Sequence, residues 1–336
     1  MSNAVLNINE LNAQVDLVNR TYNVSKMDPL QNVMRNSGIV RTETVARNSG
    51  LVRRFAEMIV ATGYFGEGAS GSPATQAKYQ QGYEKDLIID QHDLSISIDR
   101  QLRLGAKNPE IIQKLTQFAS AGYNEIDLVL AHRLGFGTST TYTTSRGQVK
   151  DWTGGDGLAV FSASHTLTGS ASTWTNIVTG NPQFSKGSYS LAKRIAVENT
   201  IDNLGQKMTV EYDRIITTDD EETVIAVKEL SNSTADVTSS NAGTYNVYSG
   251  LTHIISKRIA TTAVGAVDTT KKKYWFLGSS QLAPIVLGMM TEPYINPPKS
   301  GNNGEDIETE NWNYVGFADW GTAVPSGRGL IGSFAV

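Results

Sequence analysis

No cysteine occurs among the 336 residues. That absence excludes disulfides, thiolate zinc sites and cysteine nucleophiles together, and it suits a reducing compartment. Histidine is scarce, with four in the whole chain, so general-base chemistry has few places to reside. Long apolar runs are missing as well. The longest, "LAPIVLGMM" at 282–290, is far short of the roughly 20 residues that cross a bilayer, and Pro284 interrupts it. The opening "MSNAVLNINELNAQVDLVNR" has no basic patch followed by an apolar stretch, so it does not read as a secretory signal. The expectation is a soluble chain made inside the cell, with no membrane partner. Nor does one sign of charge dominate: 29 Lys and Arg stand against 33 Asp and Glu, for a net charge of −4. A protein that grips a nucleic-acid backbone tightly needs concentrated basic side chains, so that class is disfavoured.

What is present is glycine, at 31 residues, and an apolar share of 39%. These predict a modest core with much loop and extended chain, in two domains or one domain with long excursions. The strongest helix signal covers 108–135. Asn108 suits an N-cap and Pro109 the first helical position, while Ile111, Leu115, Phe118, Gly122, Ile126 and Val129 recur at three- and four-residue steps. At about 1.5 Å per residue this helix is roughly 40 Å long, a strut with one narrow apolar stripe. Residues 55–104 read as a long β-excursion in which Leu94, Ile96 and Ile98 share one face of an alternating strand. A two-stranded ribbon is marginal alone in water, so that apolar face needs a cover from outside its own chain.

The first fifty or so residues are polar and poorly periodic. A short repeat, "RNSGIVR" at 35–41 and "RNSGLVR" at 47–53, spaces Arg35, Arg41, Arg47 and Arg53 six apart. Even spacing places them on one face of an extended arm, suited to a partner's carboxylates or phosphates, although two similar turns are an equal reading. Further on come helices near 188–200 and 219–231, the second opened by a capping box of Thr218 and Glu221. Strands are predicted in "MTVEYDRIITT" and near 247–259 and 273–278. A polar loop follows the helix at 219–231, a second loop runs through "PYINPPKSGNNGEDIE", and a glycine-rich end carries Trp312 and Trp320. The order is α+β, without βαβ alternation.

The chemical motifs are weak. Ser164 and His165 adjoin, but neighbours on extended chain point to opposite faces, and there is no G-x-S-x-G elbow. "GEGASG" at 66–71 matches a dinucleotide-binding pattern without the strand before it or the helix after it. Asp219, Asp220, Glu221 and Glu222 suit the first turn of a helix better than a metal site. Asp156-Gly157 lacks the flanking oxygen ligands of a calcium loop. No catalytic, cofactor-binding or metal-binding residue is therefore assigned, and a structural or binding protein is the reading that survives.

One stretch carries a resemblance. "GGDGLAVFSASHTLTGSASTWTNI" resembles a segment of tailed-bacteriophage major capsid proteins, with Thr166 where proline commonly follows the histidine. "NPQFSKGSYSLAKRIAVENTIDNLGQKMTVEYDRIITTDDEETVIAVKEL" is similar to that family's next helix, strand and helix, and "YEKDLIIDQHDLSISIDRQLRL" to the strand leading into its spine helix. The resemblance implies the α+β Hong Kong-97-type capsid fold. Its parts would be an N-terminal arm (1–52), an extended loop (53–104), a peripheral domain with the spine helix (105–184), an axial domain (185–305) and a C-terminal return (306–336). It also implies self-assembly into hexamers and pentamers that form an icosahedral head around double-stranded DNA, in the virion, after assembly in the bacterial cytoplasm. The implied partners are other copies, portal and scaffolding or decoration proteins, and packaged DNA held weakly. Arg35, Arg41, Arg47, Arg53, Leu94, Ile96 and Ile98 are the candidate inter-subunit contacts, and removal of residues 1–54 is expected to leave a folded subunit that assembles poorly. The alternatives are a serine–histidine hydrolase and a tail-tube subunit.

Overall fold

The computed structural model describes residues 8–24, 32–57, 67–68, 70–71, 73, 81–104, 108–233, 246, 248, 251–297 and 311–336. In chain order the elements are α1 (Ile8–Val24), β1 (Val40–Thr44), β2 (Val52–Ala56), β3 (Glu84–Ile88), β4 (Asp90–Ile98), α2 (Arg100–Leu104), α3 (Asn108–Gly135), β5 (Thr141–Thr143) and β6 (Val149–Asp151). Then follow α4 (Lys186–Asn199), β7 (Arg214–Thr217), α5 (Glu221–Asn232), β8 (Thr252–Ile255), β9 (Trp275–Gly278), β10 (Ile285–Asn296), β11 (Trp312–Ala323) and β12 (Leu330–Ser333).

Two four-stranded sheets organise the chain. The first has the order β1-β10-β11-β4, and α3 packs along it through Ile111, Leu115, Tyr123, Ile126 and Leu130. The second has the order β12-β9-β7-β8. Its strands alternate between two cores. Ile215, Trp275, Leu277 and Ile331 face α4 and α5, while Ile216, Phe276 and Leu330 join the core that contains α3. Burial on both faces explains the unbroken apolar "WFLG" of β9, where a half-exposed strand would alternate.

Several sequence expectations are corrected here. Helix α1 was not anticipated, although Leu11, Val15 and Val18 fall at i, i+4 and i+7. Val15 is fully buried with Ile111 and Leu115 of α3. The ribbon does not run to residue 104 as one excursion. Its last strand, β4, hydrogen-bonds to β11 from Trp312↔Ile98 to Trp320↔Asp90 and so belongs to the first sheet. The ribbon proper is β2 paired with β3, and the residues of "GEGASG" lie partly outside the described residues. The root of this ribbon crosses the first sheet, burying Phe55 and Leu87 against Val286 and Ala323. Gly321 admits it, since a Cβ there would strike the Ile88 carbonyl.

The arginine repeat is not one extended face. Arg41 lies in β1 and Arg53 in β2, with a turn at 46–49 between the strands, so the polypeptide reverses direction between the two arginines. Removal of residues 1–54 would take Met34, Ile39 and Val40 out of the core and β1 from beside β10, so it is not the removal of a separate arm. Helix α5 is capped by Asp220, whose Oδ2 accepts from the Thr223 backbone N–H at 3.2 Å. Thr218 is instead occupied by the Lys272 carbonyl. "PYIN" is the end of β10 and not loop, because Ile295 is buried against α3. The polar tract at 234–245 and residues 298–310 lie outside the described residues. The sheets also cut across the boundaries read from sequence: β10 sits in the first sheet and β12 in the second.

Candidate functional site

The glycine-rich stretch at 154–178 forms a wall around His165, which is 1% exposed. Asp156 Oδ2 lies 2.7 Å from His165 Nδ1, and Asn176 Oδ1 lies 3.2 Å from His165 Nε2. Trp174 stacks on the imidazole with 4.3 Å between ring centroids. Asn176 is itself fixed by donating to Val160 O and accepting from the Ser162 N–H. Burial alone would raise the Asp156 carboxyl. The hydrogen bond and electrostatic attraction of His165, with the Leu158 and Thr166 N–H groups, outweigh that and hold it below its usual range. Ser164 points away, is exposed, and its N–H donates to Ser162 Oγ. Both ring nitrogens of His165 are engaged by other groups, so the pair has no nucleophile–base geometry.

A groove of about 690 Å³ lies between the ribbon root, α3 and the β5–β6 hairpin. Its charges are paired: Lys85 with Asp151 at 2.6 Å and Lys150 with Asp90 at 3.0 Å across it, and Arg54 with Asp86 at 2.8 Å between the two ribbon strands. Arg133 lies over the Trp152 ring at 3.5 Å, and burial lowers it to about 9. Among the described residues no cluster of three or more His, Asp or Glu is placed to hold a metal ion. The Asp219–Glu222 run begins α5, and Asp86 and Asp90 are spent in the pairs just named.

The residues singled out in the sequence are dispersed. Arg35 pairs with Glu292 of β10 at 3.1 Å and is mostly buried. Arg41 pairs with Glu43 at 3.2 Å, and Arg53 donates to the Thr44 carbonyl. Their guanidinium carbons stand 5.8 and 5.2 Å from the Phe55 ring. Arg47 is exposed on the turn between β1 and β2. Ile98 is buried in its own chain with Ile111 and Trp312, and Ile96 is partly buried beside it. Leu94 alone of that trio is open, at 52%. Three further apolar side chains at the ribbon root are exposed, Leu51 at 61%, Val52 at 54% and Ile88 at 53%, and Val52 stands opposite Ile88 in the pairing. Composition did not reveal that patch, because Phe55 and Leu87 on the opposite face of the same strands are buried. Only the fold separates the two faces.

Sequence reasoning also missed two anchors. Asp127 of α3 accepts from the Met34 N–H at 2.7 Å and lies 3.5 Å from Arg258, which holds the end of the arm. Burial raises its carboxyl despite those contacts. Arg328, Glu57 and Asn203 form a buried cluster at the ribbon root.

No family model matches the chain, and no curated protein sequence does. Solved structures do. The capsid of the cyanophage P-SCSP1u matches at a TM-score of 0.51 and 14% identity, over 89% of this chain and 86% of that one. The capsid of Ralstonia phage GP4 matches at 0.51 and 12%, over 90% and 88%. Over that length the chain has the fold of phage capsid proteins.

Proposed function

We propose that this chain is a major capsid protein that assembles into hexamers and pentamers and closes an icosahedral head around double-stranded DNA. The observation that carries the reading is the capsid fold, which extends over 89–90% of the chain. The exposed Val52 and Ile88, paired across the ribbon with Leu51 next in the chain, support it, since apolar side chains clustered on a ribbon call for a neighbour's surface. Ring-closing contacts of this kind are heterologous, one patch meeting a different one on the next copy. On this reading α3 is the spine of a peripheral domain, and the second sheet with α4 and α5 belongs to the axial domain. β2 and β3 form the root of the extended loop. Arg47, Arg53 and Leu94 remain contact candidates. Portal, scaffolding or decoration proteins are further partners, and the net charge of −4 suits an inner wall that lets DNA slide. The protein is structural and not enzymatic, resides in the virion and is assembled in the host cytoplasm.

The occupied ring of His165 argues against the hydrolase, and the 28-residue α3 against a sheet-dominated tail tube. Electron microscopy of the purified protein tests the proposal. Closed shells or five- and six-membered rings are expected, with Val52→Ser/Ile88→Ser folded but assembling at several-fold higher concentration. Tubes, or isolated particles at every concentration and ionic strength tried, overturn it.

A further inference from the structure

Glu57 is the last described residue of the ribbon's outgoing leg before residue 67, and its side chain is 2% exposed. Arg328, equally buried and arriving from the turn before β12, donates through Nη1 to Glu57 Oε1. Its Nη2 donates to Asn203 Oδ1 at 3.1 Å, and Asn203 Nδ2 donates to Glu57 Oε2 at 3.2 Å. The three side chains close a triangle, and each comes from a different part of the chain. The returning leg rests on the same point. The Glu57 N–H donates to the Tyr83 carbonyl at 2.8 Å, and any Cβ on Gly82 would run into Glu57 and Asn203. Just beyond, Tyr83 Oη meets Thr166 Oγ1 at 2.8 Å, and the Gln81 carbonyl accepts from Thr168 at 2.8 Å. The returning leg is thereby tied to the wall that surrounds His165.

Two desolvated charges are a poor way to gain stability, because their attraction barely offsets the loss of hydration. They are a good way to fix an angle. An apolar contact tolerates sliding and rotation, whereas the guanidinium fork satisfies Glu57 and Asn203 together in one orientation. We infer that the Glu57–Arg328–Asn203 triangle is a lock that sets the direction of the ribbon root relative to the second sheet and its neighbouring loops, so that each subunit offers the ribbon to the next copy at one angle. Its use in assembly rests on the capsid reading above. The lock itself does not.

The test is hydrogen exchange on the full-length protein before assembly, comparing wild type with Glu57→Gln/Arg328→Met and with Arg328→Lys. The double variant removes both charges at similar volume. Amides of the ribbon root, Glu57 and the β2–β3 pairs, are expected to exchange at least tenfold faster while those of α3 stay unchanged. Arg328→Lys keeps the charge but cannot reach both partners, and falls between. Unchanged ribbon exchange overturns the lock. Acceleration throughout, α3 included, also overturns it, by showing a general stability element. Micrographs then give the assembly arm: particles of mixed size or open sheets are expected from the double variant where wild type closes uniformly. Uniform shells from a variant with a loosened ribbon would sever the lock from assembly. Failure of wild type to assemble at all would count against the capsid reading and leave the exchange result to decide the lock.

Discussion

His165 and Arg328 each sit at the centre of a buried polar knot, and the two knots differ in how far the chain travels to tie them. His165 reaches Asp156 and Asn176, nine and eleven residues away. Arg328 reaches Asn203 and Glu57, separated from it by 125 and 271 residues. The near knot shapes one wall mainly from one segment, with Asn176 also donating to the Gly327 carbonyl. The far knot makes the position of the ribbon depend on the folding of everything between. A local knot can form while the rest of the chain is still disordered, whereas the distant one forms only after the loop-closure entropy has been overcome.

Breaking the far knot should show the larger effect. Arg328→Met alone leaves the Glu57 carboxylate buried without its cation and is expected to cost about 3–5 kcal/mol, read from the denaturant midpoint. Adding Glu57→Gln should restore most of that loss, and an undiminished loss in the double variant would mean that the side chains act through packing alone. In the near knot, His165→Ala removes the hydrogen bonds of the imidazole to Asp156 and Asn176 and unstacks Trp174, for about 3 kcal/mol. Ser164→Ala, one residue along and exposed, should stay within about 0.5 kcal/mol. Equal costs at the two positions would contradict the wall.

A second buried histidine sharpens the contrast. His132 lies between Tyr142 Oη at 2.8 Å and Thr261 Oγ1 at 2.9 Å with no carboxylate against it, and burial, with the Lys271 charge, lowers it to about 3. Its unfolded value is 6.5, so between these values the unfolded chain binds the extra proton. Stability is therefore fully present above pH 6.5 and is lost as pH falls toward 3. Asp156, held below its ordinary 3.8, adds a loss of the same sign, confined to the lower end of that window. Thermal midpoints measured from pH 7 to pH 4 should fall, and His132→Gln should flatten the slope. An unchanged slope would place the titration elsewhere.

Legibility followed the same division between near and far. The stripe from Ile111 to Val129 specified α3 because helix periodicity is local, and Pro109 and Gly135 marked its span. The "GGDG…SASH" segment was legible as wall because its partners lie in the same stretch. Ser164 is exposed and His165 buried, as expected of adjacent residues that diverge on extended chain. Leu94, Ile96 and Ile98 show the limit. Their alternation predicted a strand correctly but not its surroundings: Ile98 is buried with Ile111 and Trp312, while Leu94, opposite Gly316, stays open. Thr218 failed as a cap because α5 begins only at Glu221 with Asp220 as its cap, and the Thr218 hydroxyl donates to the Lys272 carbonyl, 54 residues away. The arginine repeat suggested one face, and the turn at 46–49 divided it.

The sequence by itself determined the long helix, the class of fold and the lack of cysteine chemistry, because these follow from composition and from patterns a few residues long. Tertiary structure alone decided which face of the ribbon stays bare, that β10 and β12 enter different sheets, and that Glu57, Asn203 and Arg328 meet. The physical reason is that burial and directional hydrogen bonding between distant segments depend on where the whole chain closes, and no local pattern encodes that distance.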